Sequence, residues 1–209
     1  MRNAGLVTIL TIGTAWAEPV TIAALGDSLT QGYGLPNGEG FVPQLQGWLD
    51  AADAEVMLIN AGVSGDTTAG GLSRIAWTLT DDVDALIVAL GGNDLLRGID
   101  PAVSRANLDG ILSEARGRGL PVLLVGMDAP SNYGAEFEAA FDAMYPELAE
   151  KHGALFHPNF LGALAAIGDR AEALATYMQA DGIHPNRDGV SLIVQDLGPK
   201  VQKLANSVD

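Results

Sequence analysis

Four polar clusters interrupt an otherwise apolar chain, and each is built from residue types that serve acyl transfer: Gly26-Asp27-Ser28, Ser64-Gly65-Asp66, Gly92-Asn93-Asp94 and Asp181-Gly182-Ile183-His184-Pro185. A serine that attacks a carbonyl needs a base to take its proton, an acid to hold the base's tautomer, and donors aimed at the oxyanion. Ser28 is the candidate nucleophile. His184 is the candidate base, because Asp181 stands three residues before it. A turn of that span brings the carboxylate to one ring nitrogen and leaves the other facing the site. The backbone N–H groups of Ser28 and Gly65 and the side-chain amide of Asn93 would supply three oxyanion donors, Gly65 being suited to close approach because it has no Cβ. Asp27 and Asp94 are assigned to loop scaffolding.

Each feature also has a plainer reading. Gly-Asp-Ser alone reads first as a turn that caps the next helix; Gly65 alone is a turn glycine and Asn93 a loop amide bonded to backbone. Asp181 could cap the last helix, with His184 in its first turn. His152, beside a helix-ending glycine, and His157, at a strand end, are rival bases, yet of the three histidines only His184 has an acid in this arrangement. The run Gly62-Val63-Ser64-Gly65 nearly spells a nucleophile elbow, but Asp66 stands where the second glycine is needed, so Ser64 is read as a structural hydroxyl. No zinc-binding His-Glu-x-x-His, phosphate-binding glycine loop with lysine, or dinucleotide fingerprint occurs, so neither metal nor cofactor is indicated.

What must position these residues is a set of strands whose carboxyl ends share one edge. Residues 20–25 (VTIAAL) form a short Ala- and β-branched-rich run ended by glycine, the pattern of a strand buried on both faces at the centre of a parallel sheet. Residues 55–60, 84–90, 121–126 and 154–157 read as four further strands. Between them, apolar periodicity predicts helices over residues 41–52, around Leu72 to Leu79, after the Asp100-Pro101 cap with Val103, Ile111, Leu112 and Ala115 inward, around Phe137 to Leu148 with a bend at Pro146, and over 187–204 with a kink at Pro199. Strands and helices alternate throughout. Right-handed crossovers between parallel strands then give a doubly wound α/β/α sandwich. The first three clusters follow the first three strands, and ligands of such sheets bind at that carboxyl edge, where strand order reverses.

The net charge of −15, from 26 acids against 11 bases, argues against nucleic acid and against anionic membrane surfaces. There is no cysteine, which closes thiol catalysis and Cys-ligated zinc. Residues 1–17 carry Arg2, an apolar stretch too short to span a bilayer, and Ala15-Trp16-Ala17, the small-x-small form of a signal-peptidase site. Cleavage after Ala17 is expected to leave a single domain, residues 18–209, without a membrane-spanning segment, in the periplasm or outside the cell.

With the four clusters in this order, the chain resembles the SGNH (GDSL-type) hydrolases, and within them the bacterial thioesterases that also act as lysophospholipases and arylesterases. The resemblance runs from Ile22 to about Val194 on Gly26-Asp27-Ser28-Leu29, Ser64-Gly65-Asp66-Thr67, Gly91-Gly92-Asn93-Asp94 and Asp181-Gly182-Ile183-His184-Pro185, and extends to Leu96-Arg97-Gly98 and Pro130-x-Asn132-Tyr133-Gly134. It implies a five-stranded, flavodoxin-like parallel sheet, Ser28, His184 and Asp181 as the catalytic triad, and Ser28, Gly65 and Asn93 in the oxyanion hole. Leu95 stands where those thioesterases usually have glycine, in a loop thought to move on substrate binding. The function expected is a cofactor-free serine esterase that hydrolyses small-molecule acyl esters or thioesters through an acyl-enzyme. Two alternatives are a carbohydrate O-deacetylase on the same fold, and a non-catalytic flavodoxin-like binding module.

Overall fold

The first strand, β1 (Val20–Gly26), has almost no exposed surface: Ile22, Ala23, Ala24 and Leu25 are all fully buried. Such a run, with no polar face, is stable only with neighbours on both edges and a layer on both sides. The computed structural model describes residues 18–208 and supplies all of these. The expected signal peptide, residues 1–17, lies outside the described residues.

Along the chain follow α1 (Ser28–Gln31), α2 (Phe41–Ala51), β2 (Val56–Gly62), α3 (Thr68–Thr78), β3 (Ala85–Ala89), α4 (Gly92–Leu96) and α5 (Pro101–Gly117). The second half holds β4 (Val122–Val125), α6 (Ala135–His152), β5 (Leu155–His157), α7 (Gly162–Ala165), α8 (Arg170–Tyr177) and α9 (Arg187–Ala205). The five strands form one sheet in the order β2-β1-β3-β4-β5, every pair parallel. The chain leaves β1 to one side to make β2, then crosses to the other side for β3, so the reversal of strand order falls between β1 and β3.

Alternate residues of each strand feed two cores. Ile22 and Ala24 face α2 and α9 together with Ile87 and Leu123; Ala23 and Leu25 face α3, α5 and α6 together with Leu86, Val88 and Leu124. The long elements lie where apolar periodicity predicts them, with ends differing by a few residues. The helix with Pro146 runs unbroken from Ala135 to His152, and Pro199 lies inside α9. One residue departs from the expected face of α5: Val103 is 49% exposed, and Ser104 and Leu108 point inward in its place. Ser104 is drawn in because its hydroxyl donates to the buried carboxylate of Asp94. The turns α1, α4 and α7 and the short helix α8 were not expected; three of the four are too short to show a helical period.

Candidate active site

The end of β1 determines where Ser28 sits. Asp27 caps α1, its Oδ1 accepting from the Leu29 N–H at 3.0 Å, so Ser28 is the first residue of that helix. A first-turn N–H has no partner within its helix. The Ser28 hydroxyl lies 2.8 Å from Nε2 of His184, and Nδ1 of the same ring lies 2.7 Å from Oδ2 of Asp181. With Nδ1 donating to the carboxylate, Nε2 is free to accept from the hydroxyl. The other carboxylate oxygen, Oδ1, accepts from the backbone N–H groups of Ile183 and His184 at 2.9 and 3.0 Å. The His184 hydrogen bond first, and then these two N–H groups, lower the pKa of Asp181 to about 2.

The last helix has its own cap, which leaves Asp181 free. Asn186 accepts from the N–H groups of Asp188 and Gly189, so His184 precedes the helix rather than entering its first turn. Gln179 pins the loop that carries Asp181 and His184: its N–H donates to the carbonyl of His184, and its side-chain amide donates to the carbonyls of Tyr33 and Pro185. The Tyr33 ring packs 4.8 Å from the His184 ring, centroid to centroid.

The remaining two clusters meet Ser28 at the same edge. Gly65 has φ +84°, in the left-handed region that favours glycine, and its N–H has no hydrogen-bond partner among the described residues. The backbone leading to it passes α1 so closely that a Cβ on Gly62 would fall 2.3 Å from the Gln31 nitrogen. Asn93, in the first turn of α4, donates one amide hydrogen to Oδ2 of Asp27 at 3.2 Å, and the second hydrogen remains available. Asp27 is therefore more than a cap, because it also orients Asn93. Burial raises its pKa, against the opposing pull of the Leu29 N–H, the Asn93 amide and the charge on His184. Asp94, fully buried, accepts from the Thr68 N–H and from the hydroxyls of Thr68 and Ser104. Both aspartates are scaffold, as their loop positions suggested. Ser64 donates to the Gln31 side chain at 2.6 Å and takes no part in the Ser28 chain of hydrogen bonds.

The rival histidines lie elsewhere. His152 is bonded to Asp109 at 2.6 Å and sits with Pro121 and Val122 at the opposite edge of the sheet. His157 is buried 3.4 Å from Asp196, and burial lowers its pKa.

Several contributors carried no sequence signal of their role. Arg74 holds Asp66 by a 2.7 Å ion pair and donates to the carbonyls of Ala61 and Gly26, fastening the ends of β1 and β2 to the Gly65 loop. Tyr145 and Tyr133 donate to the carbonyls of Leu90 and Leu95, gripping the Asn93 turn at both ends. Leu95 is buried in that turn and lines the site. An open cleft of about 810 Å³ includes Ser28 and is lined by Met127, Leu161, Leu164, Ile167, Leu174 and Met178. Among the described residues no three His, Asp or Glu side chains converge as a metal ligand set.

An imidazole between a carboxylate and a serine hydroxyl, in a mostly apolar cleft that Gly65 and Asn93 also line, can bind and cleave an acyl compound. The comparisons agree with this chemistry. Residues 24–192 match the GDSL-like lipase/acylhydrolase family. The chain is 35% identical to esterase TesA of Pseudomonas aeruginosa over 196 residues, covering 93% of this chain and 94% of that protein. It is 33% identical to thioesterase 1/protease 1/lysophospholipase L1 of Escherichia coli over 201 residues, 96% of this chain and 91% of that one. The crystal structure of AlinE4, an SGNH-hydrolase family esterase, superposes with a TM-score of 0.72 at 45% identity, over 90% of this chain and 98% of that one. The chain belongs to the GDSL-like lipase/acylhydrolase family of SGNH hydrolases.

Proposed function

We propose that the protein is an exported serine esterase that hydrolyses acyl esters and thioesters, with Ser28 as nucleophile, His184 as general base and acid, and Asp181 as the group that orients His184. The observation that carries the reading is the continuous chain of hydrogen bonds from Asp181 through His184 to Ser28 at the head of an apolar cleft. Ser28 Oγ attacks the acyl carbonyl carbon while its proton passes to Nε2 of His184. The carbonyl oxygen becomes an oxyanion held by the N–H groups of Ser28 and Gly65 and the free amide hydrogen of Asn93. Collapse of the tetrahedral intermediate breaks the bond to the leaving alcohol or thiol, which takes the proton from His184. Water then attacks the acyl-enzyme, giving its proton to His184; the carboxylic acid departs and the proton returns to Ser28.

The leucines and methionines of the cleft favour a hydrocarbon chain over the acetyl group of a carbohydrate O-deacetylase. A site preceding residue 18 for signal cleavage would put the enzyme where acyl-CoA is scarce, so esters of small alcohols, phenols and lysolipids are the natural substrates. The test is hydrolysis of p-nitrophenyl esters from acetate to palmitate by wild type, Ser28→Ala and Asn93→Ala. Ser28→Ala should abolish turnover on every ester. Asn93→Ala should lower kcat roughly a hundred- to a thousandfold, about 3–4 kcal/mol, as expected for the loss of one oxyanion donor. Full kcat in Asn93→Ala would remove the amide from that role, and full activity in Ser28→Ala would remove the mechanism.

A further inference from the structure

We propose that Arg97 is a positioning residue of the oxyanion hole, holding the Gly65 turn in register with Asn93; the inference rests on the serine esterase reading. Arg97 follows α4 directly, and its backbone N–H donates to the carbonyl of Asn93 at 3.1 Å. Its guanidinium donates through Nη2 to the carbonyl of Gly65 at 2.7 Å. One residue therefore joins the carriers of two of the three oxyanion donors.

The Gly65 turn needs such a tie for a physical reason. The Asp66 N–H donates to the Val63 carbonyl at 3.0 Å, closing a β-turn with Ser64 and Gly65 at its centre. Gly65 alone of the two has positive φ, as the third position of a type II turn requires. The proposed donor, the Gly65 N–H, belongs to the central peptide of that turn. The turn's own hydrogen bond sets its shape but not where it stands relative to Asn93. Arg74 ties the turn, through the carboxylate of Asp66, to the ends of β1 and β2. Arg97 ties the Gly65 carbonyl, in the peptide that follows the donor, to the Asn93 side of the site, and a guanidinium on a carbonyl is a charge-assisted bond, stronger than a neutral one. The sequence places Arg97 only four residues after Asn93, so the tie runs directly between the two turns.

Arg97 is exposed, so its replacement leaves the cores untouched. The experiment compares wild type, Arg97→Met, which keeps the apolar stem but has no donor, and Arg97→Lys, which restores one charged donor. Each is assayed on p-nitrophenyl acetate, p-nitrophenyl decanoate and an acyl-CoA thioester, well below the melting midpoint of every variant. Arg97→Met should lower kcat by roughly ten- to a hundredfold, by the same factor on both neutral esters because all esters share the oxyanion, with KM changed less than about twofold. Arg97→Lys should recover a large part of that loss. Unchanged kcat on the neutral esters in Arg97→Met would overturn the inference. So would a change confined to KM for the thioester, which would make Arg97 a contact for substrate phosphates instead. Equal losses in Met and Lys accompanied by early melting would assign the effect to folding and overturn it as well. Wild type inert on every ester would sink the esterase reading and this inference with it, whereas active wild type and equally active Arg97→Met would sink this inference alone.

Discussion

Two aspartates beside Ser28 are pushed in opposite directions, and the difference separates their roles. Asp181 faces solvent with 36% of its side chain exposed, and its anion is favoured by the His184 ring and two backbone N–H groups, which bring its pKa down to about 2. Asp27 is buried, and burial raises its pKa. For Asp181 the folded value lies below the ordinary one, so its contribution to stability is complete above the usual carboxylate range and is lost as pH falls toward about 2. Across any pH at which the enzyme works, Asp181 is therefore a fixed anion and does not titrate. It adds no break of its own to the acid side of the pH profile above its lowered pKa. On neutral esters, any carboxylate break in log kcat/KM on the acid side should belong instead to Asp27, whose pKa is raised and whose carboxylate orients Asn93, and Asp27→Asn should remove it. A carboxylate break that persists in Asp27→Asn and disappears in Asp181→Asn would mean that Asp181 titrates there, contrary to its hydrogen bonds.

At the scale of elements, the oxyanion donors depend on helices that meet at Asp94. Its carboxylate takes the first N–H of α3 and the hydroxyls of Thr68 and Ser104, and Asn107 of α5 donates to the Thr68 hydroxyl in turn. Asp94, Thr68 and Ser104 are fully buried, so replacing the carboxylate strands donors that water cannot reach. Asp94→Ala should lower the free energy of unfolding by about 3 kcal/mol in denaturant titration, and should lower kcat as well, because Asn93 is its neighbour. A stability loss under 1 kcal/mol would show that the network is not what joins α3, α4 and α5. The same network explains where sequence reasoning about these elements succeeded and failed. Strands such as β1 and β3 were legible as continuous apolar runs ended by glycine or a polar cluster, and helices such as α2 and α9 because burial of one face imposes a period on their apolar residues. Val103 was misplaced because that rule sends apolar residues inward, and here a serine is inward for the hydrogen bond it makes. Arg74 was silent, and Arg97 stood only as a member of Leu96-Arg97-Gly98 with no role read for it, for a related reason: an arginine that ties loops through backbone carbonyls looks, in sequence, like any surface arginine.

Over the whole molecule, strand order decides which loops can meet. The neighbours β2, β1 and β3 deliver Gly65, Ser28 and Asn93 to one edge, and the chain between β5 and α9 returns Asp181 and His184 to it. For Gly65, Ser28 and Asn93 that convergence was readable from alternating strands and helices; Asp181 and His184 were joined to it by their spacing and by the base that Ser28 needs. The cleft was not readable, because α7 and α8 are only four and eight residues long, too short for apolar spacing alone to mark them as helices. These two helices nevertheless supply the surface that fits a hydrocarbon chain: Leu164, Ile167 and Leu174 line the cleft beyond Ser28. Leu174 is 41% exposed, so its side chain contributes little to the folded core and is available to be covered by substrate. Covering a leucine side chain contributes roughly 1.5–3 kcal/mol when burial is complete, and less here because part of the surface is already covered. Leu174→Ser should therefore lower kcat/KM on p-nitrophenyl decanoate by about tenfold, close to 1.4 kcal/mol, while p-nitrophenyl acetate, whose acyl group ends beside Ser28, is hydrolysed as by wild type. The ratio of the two substrates is the measurement, since a general defect of folding or of the oxyanion hole lowers both together. If both esters fall equally, or neither does, acyl chains do not run along α8, and the wall formed by Met127 and Leu161 becomes their path.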